Sequence, residues 1–104
     1  MKSENKTPSS VHLSVRRWRD RVNGNSYFSA RLIVDGVSHR IPFQYGYGSQ
    51  PRAVAMIEAK DHVAAFSDAR SCYIDSACEE AGIAYTYDEA DATKRDCVAH
   101  GITE

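Results

Sequence analysis

The sequence predicts an α+β fold in the order βββααβα: a three-stranded antiparallel meander, then helices on one face of it and a short fourth strand. Three observations carry this. Apolar and polar residues alternate with period two in the first half. Two turn signals, Asn23-Gly24 and Asp35-Gly36, divide the alternating runs. The second half changes to helical spacing, with Met56, Ala59, Val63 and Phe66 three to four positions apart.

The first strand covers residues 11–19, with Val11, Leu13 and Val15 on one face and His12, Ser14 and Arg16 on the other. Residues 27–34 are rich in aromatic and branched side chains and form the second strand. Residues 37–45 form the third. A two-residue turn at Asp35-Gly36 pairs Val34 with Val37, Leu32 with His39, Ala30 with Ile41 and Phe28 with Phe43. A two-residue turn at Asn23-Gly24 pairs Val15 with Leu32 and Leu13 with Val34. Both turns place the apolar set on one face, and a one-residue slip would move that whole set into water. If the first turn instead spans Asn23 to Ser26, the rows shift by two and the faces are unchanged.

A Gly- and Tyr-rich loop follows, and Pro51 suits the first turn of a helix capped by Ser49 or Gln50. A second helix is expected from about residue 68 to 81, stopped by Gly82. Residues 83–87 read as a short strand, and residues 93–99 as a last helix ending before Gly101.

With 104 residues the chain makes one domain, over residues 11–104, after a polar, flexible tail at 1–10. That tail has no apolar core, so it is not a signal peptide. No apolar run approaches the ~18 residues of a membrane span. Cysteines at 72, 78 and 97 are odd in number, which argues for free thiols in a reducing cytoplasm. No cofactor is expected, and no metal. Cys97 and His100 are an i, i+3 pair with no second pair to complete a ligand set, and the histidines at 12, 39, 62 and 100 are scattered. Asp88, Glu89, Asp91 and Asp96 match no cation-loop spacing and suit a solvated helix start. With no nucleophile–base relay either, a binding protein is expected rather than an enzyme.

The net charge of −1 hides a dipole. Residues 1–52 hold nine Lys or Arg against three acids, and residues 53–104 hold four against eleven. Halves of +6 and −7 suggest two surfaces of opposite preference, and two copies could pair through them. In the expected register Arg16, Arg31 and Arg40 form a row across three strands, on the face away from the core. Trp18 joins Ser29 and Pro42 in the adjacent row, and Tyr27 and Gln44 follow with Asp20. Such a row costs stability unless an anion or an acidic element covers it. One reading is a binding platform, with arginine forks for phosphate or carboxylate and an aromatic stacking surface. The other is that the arginines are solvated, or that the acidic half folds back over them. Tyr45 and Tyr47, in the loop Tyr45-Gly46-Tyr47-Gly48, are further interface candidates. On the platform reading, Arg31→Glu would weaken binding and leave the fold intact.

The string Trp18-Arg19-Asp20-Arg21-Val22-Asn23-Gly24-Asn25-Ser26-Tyr27-Phe28-Ser29-Ala30-Arg31, followed by Phe43-Gln44-Tyr45-Gly46-Tyr47-Gly48, resembles a set of small uncharacterised proteins of tailed phages and prophages. The resemblance spans about residues 15–50 and brings no catalytic residue with it. It implies an accessory role in the host bacterial cytoplasm: takeover of a host protein or protein complex, or inhibition of a defence system in the manner of an anti-CRISPR. Nucleic acid is the alternative partner. By analogy of fold, three strands followed by a helix also describe the arm-type DNA-binding domains of phage integrases. The acidic half argues against simple duplex binding.

Overall fold

The computed structural model describes residues 8–63, 66, 67 and 69–102. Seven elements follow in chain order: β1 (Ser10–Asp20), β2 (Asn25–Val34), β3 (Val37–Tyr45), α1 (Gln50–His62), α2 (Ile74–Ala81), β4 (Ala84–Asp91) and α3 (Lys94–His100). The α+β class and the βββααβα order are those the sequence predicts. The sheet order is β3-β2-β1-β4. β1, β2 and β3 form the antiparallel meander, and β4 joins the free edge of β1 in parallel. Of the tail expected at 1–10, residues 1–7 lie outside the described residues. Ser9 and Ser10 donate their backbone N–H groups to Asp35 Oδ1, at 2.9 and 3.0 Å.

The expected apolar face is the core. Val11, Leu13 and Val15 of β1, Phe28, Ala30 and Leu32 of β2, and Ile41 of β3 are almost fully buried. They pack against Ala55, Met56 and Ala59 of α1 and Ile74, Ala77 and Cys78 of α2. Val63 and Phe66 are buried as well, although α1 has already ended at His62.

The second turn has the expected form. Asp35 and Gly36 both have positive φ, 48° and 87°, as a two-residue type I′ turn requires, and Val34 pairs with Val37. The first turn differs. Asp20 pairs with Asn25, so the loop is four residues, 21–24, and Leu13 pairs with Leu32 and Val15 with Ala30. Asp20 is the cause. Its Oδ1 accepts from the backbone N–H of Val22 and Asn23, and its Oδ2 from Asn23 Nδ2. This side-chain turn keeps Asn23 out of the left-handed region, and only Gly24 enters it, at φ 74°. The rows therefore shift by two while the faces stay as expected.

A bulge interrupts the pairing of β2 with β3. Ala30 pairs with Ile41, but Phe28 pairs with Gln44 rather than Phe43, so β3 carries one extra residue there. Pro42 lies in that interval on an edge strand, where a residue without an N–H is tolerated. The second helix also begins later than expected. Ser71 bonds both the N–H and the C=O of Tyr73, a local turn that competes with helix, and α2 starts at Ile74. Residue 68, the expected start, lies outside the described residues.

α1 and α2 cover one face of the sheet, and α3 lies on the other. Ser29 and Cys97 are fully buried between α3 and the meander. The Ser29 hydroxyl donates to the Cys97 carbonyl, and Cys97 Sγ donates to the Arg16 carbonyl at 3.2 Å. Gly101 allows this approach: a Cβ there would stand 2.7 Å from the Ile41 carbonyl oxygen and 2.9 Å from Ser29 Cβ. α3 thus occupies the centre of the face on which the arginine row was expected.

Candidate binding surface

With the register shifted, the three arginines do not form one row. Arg31 lies between Ser14 and Arg40, while Arg16 lies opposite Ser29. The acidic half folds back on two of them. β4 runs parallel to β1 and sets Asp88 beside Ser14. Asp88 Oδ1 accepts from Arg16 Nη1 at 2.6 Å and from the Ser14 hydroxyl at 3.0 Å, and Oδ2 accepts from His12 Nε2 at 2.7 Å. Burial disfavours the Asp88 carboxylate, but the bonds from Arg16, His12 and Ser14 outweigh it and hold its pKa below the ordinary value. Arg31 Nε donates to the His100 carbonyl at 2.9 Å, so a cation caps the C-terminal end of α3. His100 Nε2 donates to the Ser14 carbonyl at 3.0 Å. A cavity of about 340 Å³ beside α3 is lined by Arg16 and Arg31 together with Asp91, Asp96 and His100. Arg16 and Arg31 therefore hold β4 and α3 in place. The expectation that Arg31→Glu leaves the fold intact is reversed by this geometry. Cys97 and His100 bond two separate carbonyls of β1.

This packing has a pH signature. Burial, helped by Arg31 and Arg16, pushes the His100 pKa below its ordinary value of 6.5, against the pull of the Ser14 carbonyl. The neutral ring is the native form, so the unfolded chain takes the proton first. The contribution of His100 is complete above pH 6.5 and falls as the solution is acidified. Asp88 contributes above its ordinary value of 3.8 and loses that contribution as pH falls through its depressed native pKa. Melting temperature is expected to decline gently below pH 6.5 and more steeply below pH 3.8. A thermal melt series should show a shallower first decline in His100→Gln, which keeps a donor but cannot titrate.

The remaining candidates meet at one end of the sheet. Trp18 pairs with Tyr27, and Tyr27 with Tyr45. The Trp18 and Tyr27 rings are 5.5 Å apart, and Tyr27 stacks on Phe43 at 5.2 Å with 5° between planes. Tyr45 meets Tyr27 edge-on at 5.8 Å and Tyr47 edge-on at 6.0 Å. Tyr45 and Tyr47 are 56% and 64% exposed, which sets them apart from the half-buried rings behind them. Lys94 Nζ lies 5.4 Å from the Trp18 ring centre, within cation–π range. Arg17, Trp18, Arg19 and Arg21 line a groove of about 540 Å³ with Asp91, Ala92 and Thr93. Gln44 is apart from this cluster: it is half-buried and bonds the Pro42 carbonyl. Arg40 is half-buried in the middle of β3.

Phe43, Arg19, Arg21 and Lys94 belong to this surface and were not among the expected residues. Phe43 was placed opposite Phe28, and the bulge turns it to the other face. Pro42 inside a strand was the available signal. No protein-family model, no curated protein and no solved structure matches the chain. Among the described residues, no helix is long and apolar enough to cross a membrane.

Proposed function

We propose that this chain is a phage-type accessory protein that binds a bacterial host protein and inhibits or redirects it, with its aromatic end as the contact. The supporting observation is the run of rings from Trp18 to Tyr47, which ends in two exposed tyrosines. Tyrosine, tryptophan and arginine are the residues that dominate protein interfaces, and the two aromatics bury large area at low entropic cost. Here Trp18, Tyr27, Phe43 and Tyr45 stand on the sheet with their rings in mutual contact, so little order remains to be imposed on them on binding. Arg19, Arg21 and Lys94 beside them favour an acidic partner surface. The resemblance of residues 15–50 to phage proteins supplies the setting, and a defence complex is the partner that suits it. The function is binding, not catalysis.

A second reading is favoured by one observation: the groove that holds Trp18, Arg19 and Arg21 could take a nucleic-acid strand, with a base stacked on the indole. A pull-down from bacterial lysate, with and without nuclease, separates the two. A retained protein that survives nuclease supports the first reading. Binding to nucleic acid that weakens steeply with salt supports the second.

A further inference from the structure

The two histidines that seemed scattered in sequence, 39 and 62, meet in space. His39 comes from the edge strand β3, where it pairs with the buried Leu32 and so faces α1. His62 is the last residue of α1, and Glu58 lies one turn before it. The rings of His39 and His62 stack at 4.5 Å with 20° between planes. Glu58 Oε2 accepts from His62 Nε2 at 2.9 Å. One donor atom from each of the three residues lies within 4.8 Å of the others.

We propose that His39, Glu58 and His62 form a binding site for a divalent transition-metal ion of the zinc type. The donor set is two imidazoles and one carboxylate, which suits Zn²⁺, Ni²⁺ or Cu²⁺ and not Ca²⁺ or Mg²⁺, which prefer oxygen throughout. Zinc bonds to nitrogen and oxygen are about 2.0–2.2 Å, which puts tetrahedral ligands roughly 3.3 Å apart. The three donor atoms stand within 4.8 Å, and Glu58 and His62, with side chains 32% and 45% exposed, have solvent room to rotate toward a shared ion. His39 is the more fixed member. It is half-buried on its strand, with its ring stacked on that of His62. Two imidazoles placed face to face repel when protonated, and a shared cation turns that arrangement into a favourable one. Three protein ligands leave a fourth position for water or a group from another molecule. The site lies on the α1 face of the sheet, away from the aromatic end, and does not depend on the binding function proposed above.

The test uses the full, untagged chain with Cys72→Ser, which removes the exposed thiol as a competing ligand. Co²⁺ is titrated and read by its visible absorption, and Zn²⁺ by calorimetry. One equivalent is expected to bind, and excess Zn²⁺ to raise the melting temperature, because the ion binds the native chain only. His39→Ala and Glu58→Gln should each weaken binding by about tenfold or more, while His12→Ala and His100→Ala leave it unchanged. Glu58→Gln alters a partly exposed position and keeps the test valid if His39→Ala fails to fold. Absence of binding at tens of micromolar metal, or binding unaffected by Glu58→Gln and His39→Ala, overturns the proposal.

Discussion

Phe28→Ala is expected to destabilise the fold more than any other single truncation in the sheet. The ring is fully buried under α1, and its Cε1 comes within 2.8 Å of where a Gly46 Cβ would stand. Truncation removes buried apolar area and leaves a cavity that the rigid sheet cannot close, at a cost of about 3–5 kcal/mol. For a domain of this size that corresponds to a melting temperature lower by roughly 15 °C or more. It also removes the support beneath the connection that carries Tyr47. Chemical denaturation of the purified variant measures the effect directly.

Arg31→Glu is expected to have the next largest effect. The change deletes the charged donor to the His100 carbonyl. A hydrogen bond from a charged group contributes about 1.5–3 kcal/mol. It also sets a carboxylate against the negative end of α3, which costs about 0.3–1 kcal/mol more. Attraction to Arg40 on the neighbouring strand offsets part of this, of order 0.5 kcal/mol. The expected net loss is about 1.3–3.5 kcal/mol, read in the same denaturation experiment. Arg31→Lys, which keeps the charge but not the fork, should lose less. If Arg31→Glu melted at the wild-type temperature, α3 would not be held by this contact.

The contrast between these two positions shows where the sequence was legible. The core face was readable because period-two alternation and a type I′ turn at Asp35-Gly36 are local features, and local features decide which side of a strand faces in. The arginine row was not readable at the same level. Its alignment depended on the length of the first turn, and the Asp20 side chain lengthened that turn from two residues to four. Its cover depended on β4 and α3, whose contacts with β1 and β2 cross 68 to 86 positions of sequence. The charge dipole had raised internal neutralisation as an option, and Asp88 with Arg16 realises it. Pro42 marked the bulge that brings Phe43 to the aromatic surface. The His39–His62 pair had no sequence signal, because the register of an edge strand against a helix end is set by packing alone.

Arg16 and Arg31 thus serve the fold, and the proposed contact rests on the aromatic end. The most direct measurement is a pull-down from nuclease-treated bacterial lysate with the wild-type chain and with Tyr45→Ala/Tyr47→Ala. Both side chains are exposed, so the variant should melt with the wild type. Truncating an interface anchor costs about 2 kcal/mol or more, roughly thirtyfold in Kd. The expected result is a host protein retained by the wild type and lost from the variant at equal melting temperature. Equal retention by the two chains, or a wild-type signal that disappears with nuclease, would contradict the proposal.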